Sequence, residues 1–214
     1  MSNLRSFVSN IRGAGAAEFA LILPVFLILL LGTIDAGRYA WEFNEAAKAT
    51  QTGARWAVAT DLIPGGDAAN GLKNYSFAVS GGVTQGAIVP VANFPGVTCT
   101  SSGGVASCTC KSGGTCSFAV TIDTAAQDAW DDVVGRMQQI YPAVQSDDVQ
   151  IDYDWSGLGF AGDPNGPDVA PLVTVTLNNM QFQPLTLLLF GGTISIPESS
   201  YALTMEDADG DFSN

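Results

Sequence analysis

The chain contains no histidine. That removes the commonest general base and the commonest zinc ligand. Basic residues are scarce too: eight Lys and Arg stand against 21 Asp and Glu, a net charge of −13. The deficit is uneven. Arg5, Arg12, Arg38, Lys48 and Arg55 balance Glu18, Asp35, Glu42 and Glu45, whereas from Asp61 onward only Lys73, Lys111 and Arg136 oppose the remaining acids. So acidic a region lacks the cations that displace phosphate counterions, which argues against nucleic acid as a partner. No Gly-rich phosphate loop follows a clear strand, and no nucleophile elbow is present. The expectation is a protein that is not an enzyme and takes no cofactor.

Cysteine is confined to one Gly/Ser-rich stretch, as Cys99, Cys108, Cys110 and Cys116. An even count in a weakly apolar loop, downstream of a membrane-like run, points to two disulfides in an oxidising compartment. Cys108 and Cys110 are too close to pair comfortably. That leaves Cys99–Cys108 with Cys110–Cys116, or Cys99–Cys110 with Cys108–Cys116. The competing zinc reading lacks two C-x2-C knuckles.

What the chain does have is one long oily run. Phe19 to Ile34 carries no charge. At about 1.5 Å per residue it spans roughly 24 Å, short of the ~30 Å hydrocarbon core, and including Ala14 to Glu18 brings it to about 31 Å. Glu18 therefore lies at or inside the membrane boundary, where a carboxylate is costly and is a functional candidate by default. Arg5 and Arg12 flank the inner end and predict a cytoplasmic N-terminus. Pro24 falls mid-span and is expected to bend the helix. A cleaved secretory signal is the competing reading, but "LLGTIDAG" puts Ile34 three residues before a cut after Ala36 and so offers no small-x-small site.

Gly13, "AGAA", Glu18 and the unbroken apolar run form the substrate pattern of prepilin peptidases. The segment from Gly13 to Val58 also resembles the TadE-like family of pseudopilins. That family has a "G-x-x-x-x-E-F-A-L-x-x-P" core, an apolar run, a "D-x-G-R" step, matched by Asp35, Gly37 and Arg38, and a small-residue helix ending near "GAR", matched by Gly53 to Arg55. The resemblance implies a minor pilin-like subunit of a tight-adherence type IV pilus or of its assembly machinery. It implies cleavage after Gly13, leaving Ala14 as the mature N-terminus. A single-pass inner-membrane anchor with a periplasmic C-terminal domain follows, possible incorporation in a surface pilus included. The implied partners are a prepilin peptidase, other pilins or pseudopilins, and the pilus assembly platform. Glu18 then becomes a register device, because an opposite charge on the freed α-amine stabilises both ionised groups in a low dielectric.

Beyond the run, Tyr39, Phe43, Ala46, Thr50, Gly53 and Ala57 recur at helical spacing, and "IPGGD" closes the helix. The expected organisation is a leader over 1–13, a helix over 14–62 that spans the membrane over about 14–34, and a domain over 63–214. Residues 65–116 read as loops and hairpins around the cysteines. "FAVTID" alternates like a strand. A helix follows, with Thr124 and Gln127 at capping-box spacing and Ala126, Trp130, Val133, Val134, Met137 and Tyr141 on one side. "VQIDYDW" places Val149, Ile151, Tyr153 and Trp155 inward and Gln150, Asp152 and Asp154 outward; "LVTVTLN" does the same with Val173, Val175 and Leu177. "ISI" and "YALTM" read as closing strands. The fold class is α+β: a long N-terminal transmembrane helix continuing into a domain with an antiparallel sheet packed on helices. "PLTLLLF" is too short to span a bilayer and is expected as a buried helical turn rather than a membrane-dipping patch.

No metal site is expected. Asp207, Asp209 and Asp211 alternate like the start of a calcium loop, but Gly210 is misplaced for an EF-hand, so 206–214 reads as an acidic tail. The polar turn Gly162 to Asp168 has the same weak calcium character. A membrane-anchored module that binds a ligand or calcium is the alternative function.

Overall fold

The computed structural model describes residues 14–164 and 166–205. The expected leader with Gly13, and the acidic tail with Asp207, Asp209 and Asp211, lie outside them. The described chain is α+β: a long apolar helix leads into a domain with an antiparallel sheet and a second helix. Helix α1 runs Ala14–Ala57 and helix α2 runs Thr124–Ile140. The chain forms two compact units. One holds α1 up to Trp41 together with Gln181–Ile194, and the other holds Glu42–Met180 and the residues from Ser195 on.

In the larger unit, five strands pair antiparallel throughout. They are β1 (Val97–Ser102), β2 (Val105–Cys110), β3 (Val149–Asp154), β4 (Leu172–Leu177) and β7 (Ser199–Thr204), in the order β2-β1-β3-β4-β7. Strands β5 (Gln181–Phe182) and β6 (Ile194–Ser195) form a separate two-stranded ribbon. Period-2 alternation fixes the register of the sheet: Cys99, Ile151, Val175 and Tyr201 form one cross-strand row, because a one-residue slip would turn every apolar side chain to the other face. Val97, Cys99, Ile151, Tyr153, Val173, Val175 and Leu177 are all buried.

Helix α2 buries Ala126, Ala129, Trp130, Val133, Val134 and Met137, the face its spacing predicts. The later part of α1 buries Ala46, Ala49, Thr50, Gly53, Ala54 and Ala57. Small residues are needed there: a Cβ on Gly53 would stand 2.8 Å from Met137 Cγ and Sδ and 3.4 Å from Val175 Cγ1. Phe43, expected on the same stripe, is partly exposed instead. Arg136 lies over the Trp56 ring, 3.9 Å from its centroid, and adds a cation–π contact between the helices.

Hairpin β1–β2 closes through Gly103 and Gly104, both at positive φ (61° and 83°), as a tight two-residue loop requires. Asp147 receives the backbone amides of both glycines, at 2.8 and 3.1 Å, and the Ser101 hydroxyl at 2.7 Å. Those bonds hold its carboxyl below the ordinary value. Cys99 and Cys108 are directly opposed in this hairpin and form one disulfide, while Cys110–Cys116 forms the other. This is one of the two pairings left open by sequence, and among the described residues no cysteine is free.

Four further expectations differ in the larger unit. "FAVTID" is no strand: only an isolated bridge joins Ala119 to Gly71, because Phe118 is drawn into an aromatic cluster with Tyr75, Phe77 and Phe94. The cap of α2 is Asp123, whose carboxylate accepts from the Ala126 amide at 2.8 Å. Thr124 is the first helical residue, and Gln127 instead fastens the edge strand, accepting from the Ala106 amide and donating to the Gly104 carbonyl. Trp155 is 43% exposed, its indole N–H turned onto the Val89 carbonyl. Asp152, expected outside, is buried because it has partners: Lys111 Nζ at 2.8 Å, Thr98 Oγ1 at 2.6 Å and Gln150 Nε2 at 2.7 Å.

Lys111 also meets Asp154 at 2.6 Å. Burial pushes the Asp152 carboxyl up, but its hydrogen bonds from Lys111, Thr98 and Gln150 outweigh this and hold it below the ordinary 3.8. Burial likewise lowers Lys111, and its two carboxylate partners outweigh that and raise it above 10.5. The carboxylate therefore stabilises the fold above its unfolded value and loses that effect as pH falls through its folded value. The ammonium contributes fully below 10.5 and fades as pH rises beyond it. Thermal midpoints should hold steady between these limits and fall below about pH 4, with a shallower acid limb in Asp152→Asn. Gly53→Leu should lower stability by about 1–3 kcal/mol through overpacking against Met137 and Val175, read as a lower denaturant midpoint at unchanged slope.

Candidate functional site

The features that bear on function lie on the first part of α1 and on the segment that returns to it. Among the described residues, Ala14–Ala57 is helical throughout. Glu18 is exposed, and so are Phe19, Leu21, Ile22, Val25, Phe26, Leu27, Ile28, Leu29, Leu30 and Ile34. An apolar helix with its side chains outward around its circumference is built for an apolar surround, not for water. It is the one helix among the described residues long and apolar enough to cross a membrane, near the N-terminus, and suggests a single-pass anchor. Pro24 lies inside it.

The run ends at Asp35, which is buried despite its charge. Its carboxylate accepts from the backbone amides of Leu185 at 2.7 Å and Thr186 at 2.9 Å, and from the Thr186 hydroxyl at 2.9 Å. Arg38 sits one turn on, 3.6 Å from the same carboxylate. A 3-10 helix over Leu185–Phe190 has Pro184 at its N-cap, which supplies no side-chain cap. Asp35 satisfies those two amides from 150 positions away. Arg38 stacks over the Phe182 ring at 5.2 Å, and Tyr39 meets Phe182 edge-on at 5.5 Å. Between α1 and this segment lies a cavity of about 410 Å³ whose lining includes Gly32, Ala36, Tyr39, Leu187 and Ile194.

"PLTLLLF" is helical, as expected, but it is not buried: Leu185, Leu187 and Leu188 face outward. The sequence reading also missed Asp35 as a latch. Its signal was a carboxylate at the exit of an apolar run, together with a helical turn opening on Pro-Leu-Thr without an acceptor of its own.

The polar turn Gly162–Asp168 is tied into the fold: the Asp168 carboxylate takes the backbone amides of Phe77 and Asp163. Among the described residues no group of three or more acidic or cysteine side chains is placed to hold a metal ion.

The family model described as "TadE-like protein" matches residues 13–55, the apolar helix and its small-residue continuation. This agrees with the resemblance carried by Gly13, Glu18, Pro24 and the Asp35–Arg38 step. No curated protein sequence matches the chain, and no solved structure matches it.

Replacing Asp35 by Ala would strand two partly buried amides. It should destabilise the Gln181–Ile194 segment by about 1–3 kcal/mol, seen as faster amide exchange and new protease cuts within that segment, while the five-stranded sheet keeps its protection.

Proposed function

We propose that this chain is a pilin-like structural subunit of a tight-adherence pilus or of its assembly machinery. The observation that carries the reading is the coincidence of the TadE-like match over 13–55 with the outward-facing apolar first half of the Ala14–Ala57 helix. In this reading a prepilin peptidase cuts between Gly13 and Ala14. The helix then holds the subunit in the inner membrane, with the basic residues Arg5 and Arg12 on the cytoplasmic side before cleavage. The disulfide-bearing domain lies on the oxidising side, where two disulfides persist. Other pilins or pseudopilins and the assembly platform are its partners.

Glu18 has a specific task in this scheme. Cleavage creates an α-amine four residues before it. The exposed carboxylate is then free to pair with its own amine or a neighbour's, and an unpaired charge in that setting is strongly disfavoured. Pairing across chains fixes the axial stagger between subunits, as a buried polar residue fixes register in a coiled coil.

Co-expression with a prepilin peptidase tests the reading directly. The expected product has lost the mass of residues 1–13 and begins at Ala14. Intact protein beginning at Met1 in cells that assemble the fibre would overturn it. Glu18→Gln should leave the domain folded while reducing co-purification with partner pilins; unchanged processing, insertion and assembly would remove the register role.

A further inference from the structure

Leu185–Phe190 presents leucines outward in a chain segment with no charge at all from Gln181 to Pro197. Leu185 is 40% exposed, Leu188 56% and Ile194 45%. A folded surface in water seldom keeps such a contiguous patch without a use for it. The patch is continuous with the anchor. It belongs to the same compact unit as α1 up to Trp41, and it is tied to the last turn of the apolar run through Asp35.

Two more observations say what covers it. Trp41, 68% exposed, follows Asp35 on α1. At about 1.5 Å per residue it stands roughly 10 Å beyond Ile34, within the depth of a headgroup layer, where Trp and Tyr concentrate. Asp35 and Arg38 of α1 face the segment: Asp35 takes the segment's amides, and Arg38 lies 3.6 Å from that carboxylate and over the Phe182 ring. Internal satisfaction of polar groups is the condition for backbone that rests in a lipid boundary.

We propose that the Leu185–Phe190 helical turn is an interfacial membrane contact, seated on the bilayer surface where α1 emerges, its leucines reaching the boundary between headgroups and acyl chains. The occupant of the patch is lipid, not a second protein. The turn widens the footprint of an apolar span that is short for its task, and the Asp35 latch fixes it at the membrane surface. This inference rests on the anchor reading of α1, and the experiment separates the two.

The full chain is reconstituted into vesicles of phosphatidylethanolamine and phosphatidylglycerol, with or without lipids brominated on the acyl chains. Leu188→Trp and, in parallel, Leu185→Trp report the patch; Phe26→Trp reports the anchor; the native protein gives the tryptophan background. Added emission from Leu188→Trp and Leu185→Trp should fall roughly twofold with lipids brominated near the headgroup and resist aqueous iodide. Phe26→Trp should respond to deeper bromines. If Phe26→Trp is quenched by lipid while both leucine variants are quenched by iodide alone, the interfacial contact is wrong and the anchor stands. Protection of the leucine positions only after other pilin components are added overturns it in favour of a protein partner. No lipid quenching at Phe26→Trp overturns the anchor and this inference together.

Discussion

One helix is apolar and outward-facing along its first half and packs into a protein core along its second. Both demands fall on the same 44 residues, Ala14–Ala57. The first half answers with large aliphatic side chains pointing outward. The second half answers with buried Ala46, Ala49, Ala54 and Ala57 and with Gly53, whose missing side chain admits Met137 and Val175 to near contact. The changeover comes at Asp35. A carboxylate there is tolerable because Leu185 and Thr186 donate to it from backbone and hydroxyl, so its charge is distributed over fixed dipoles and Arg38.

Elsewhere, polar groups locate elements that apolar packing alone would leave loose. Asp147 clasps the glycine turn of the β1–β2 hairpin, and Gln127 reaches from α2 to the backbone of β2. Trp130, fully buried, donates its indole N–H to the Ser146 hydroxyl, which in turn donates to Ser101. Each link ties two elements together by direction as well as by burial.

Much of this was legible in the residues. The apolar run, the inward faces of β3 and β4 and the buried face of α2 all follow from periodicity, because each is a local pattern answering a single environment. The rest depended on contacts between distant positions. Asp152 keeps the face that alternation predicts, yet it is buried there because Lys111, far off in sequence, covers it and supplies its counter-charge. Phe118 alternates like a strand residue, yet its ring is claimed by Tyr75, Phe77 and Phe94. The Leu185–Phe190 turn looks like core by composition, and only the remote latch at Asp35 reveals which side it shows. Residues 63–96 carry no period, since their glycine turns and scattered aromatics pack without a repeating element.

The placement of β7 has a consequence for biogenesis. Its partner β4 lies between it and the rest of the sheet, and Ser199 bonds Thr50 across 149 positions. A chain emerging from its N-terminal end therefore presents α1 and the Cys99–Cys108 hairpin, both made of near neighbours, long before the sheet can close. The domain stays open until about the two-hundredth residue has emerged, and such late, non-local pairing is slow. Until then β4 keeps an unpaired edge, and the unfinished sheet is the species most open to wrong pairing.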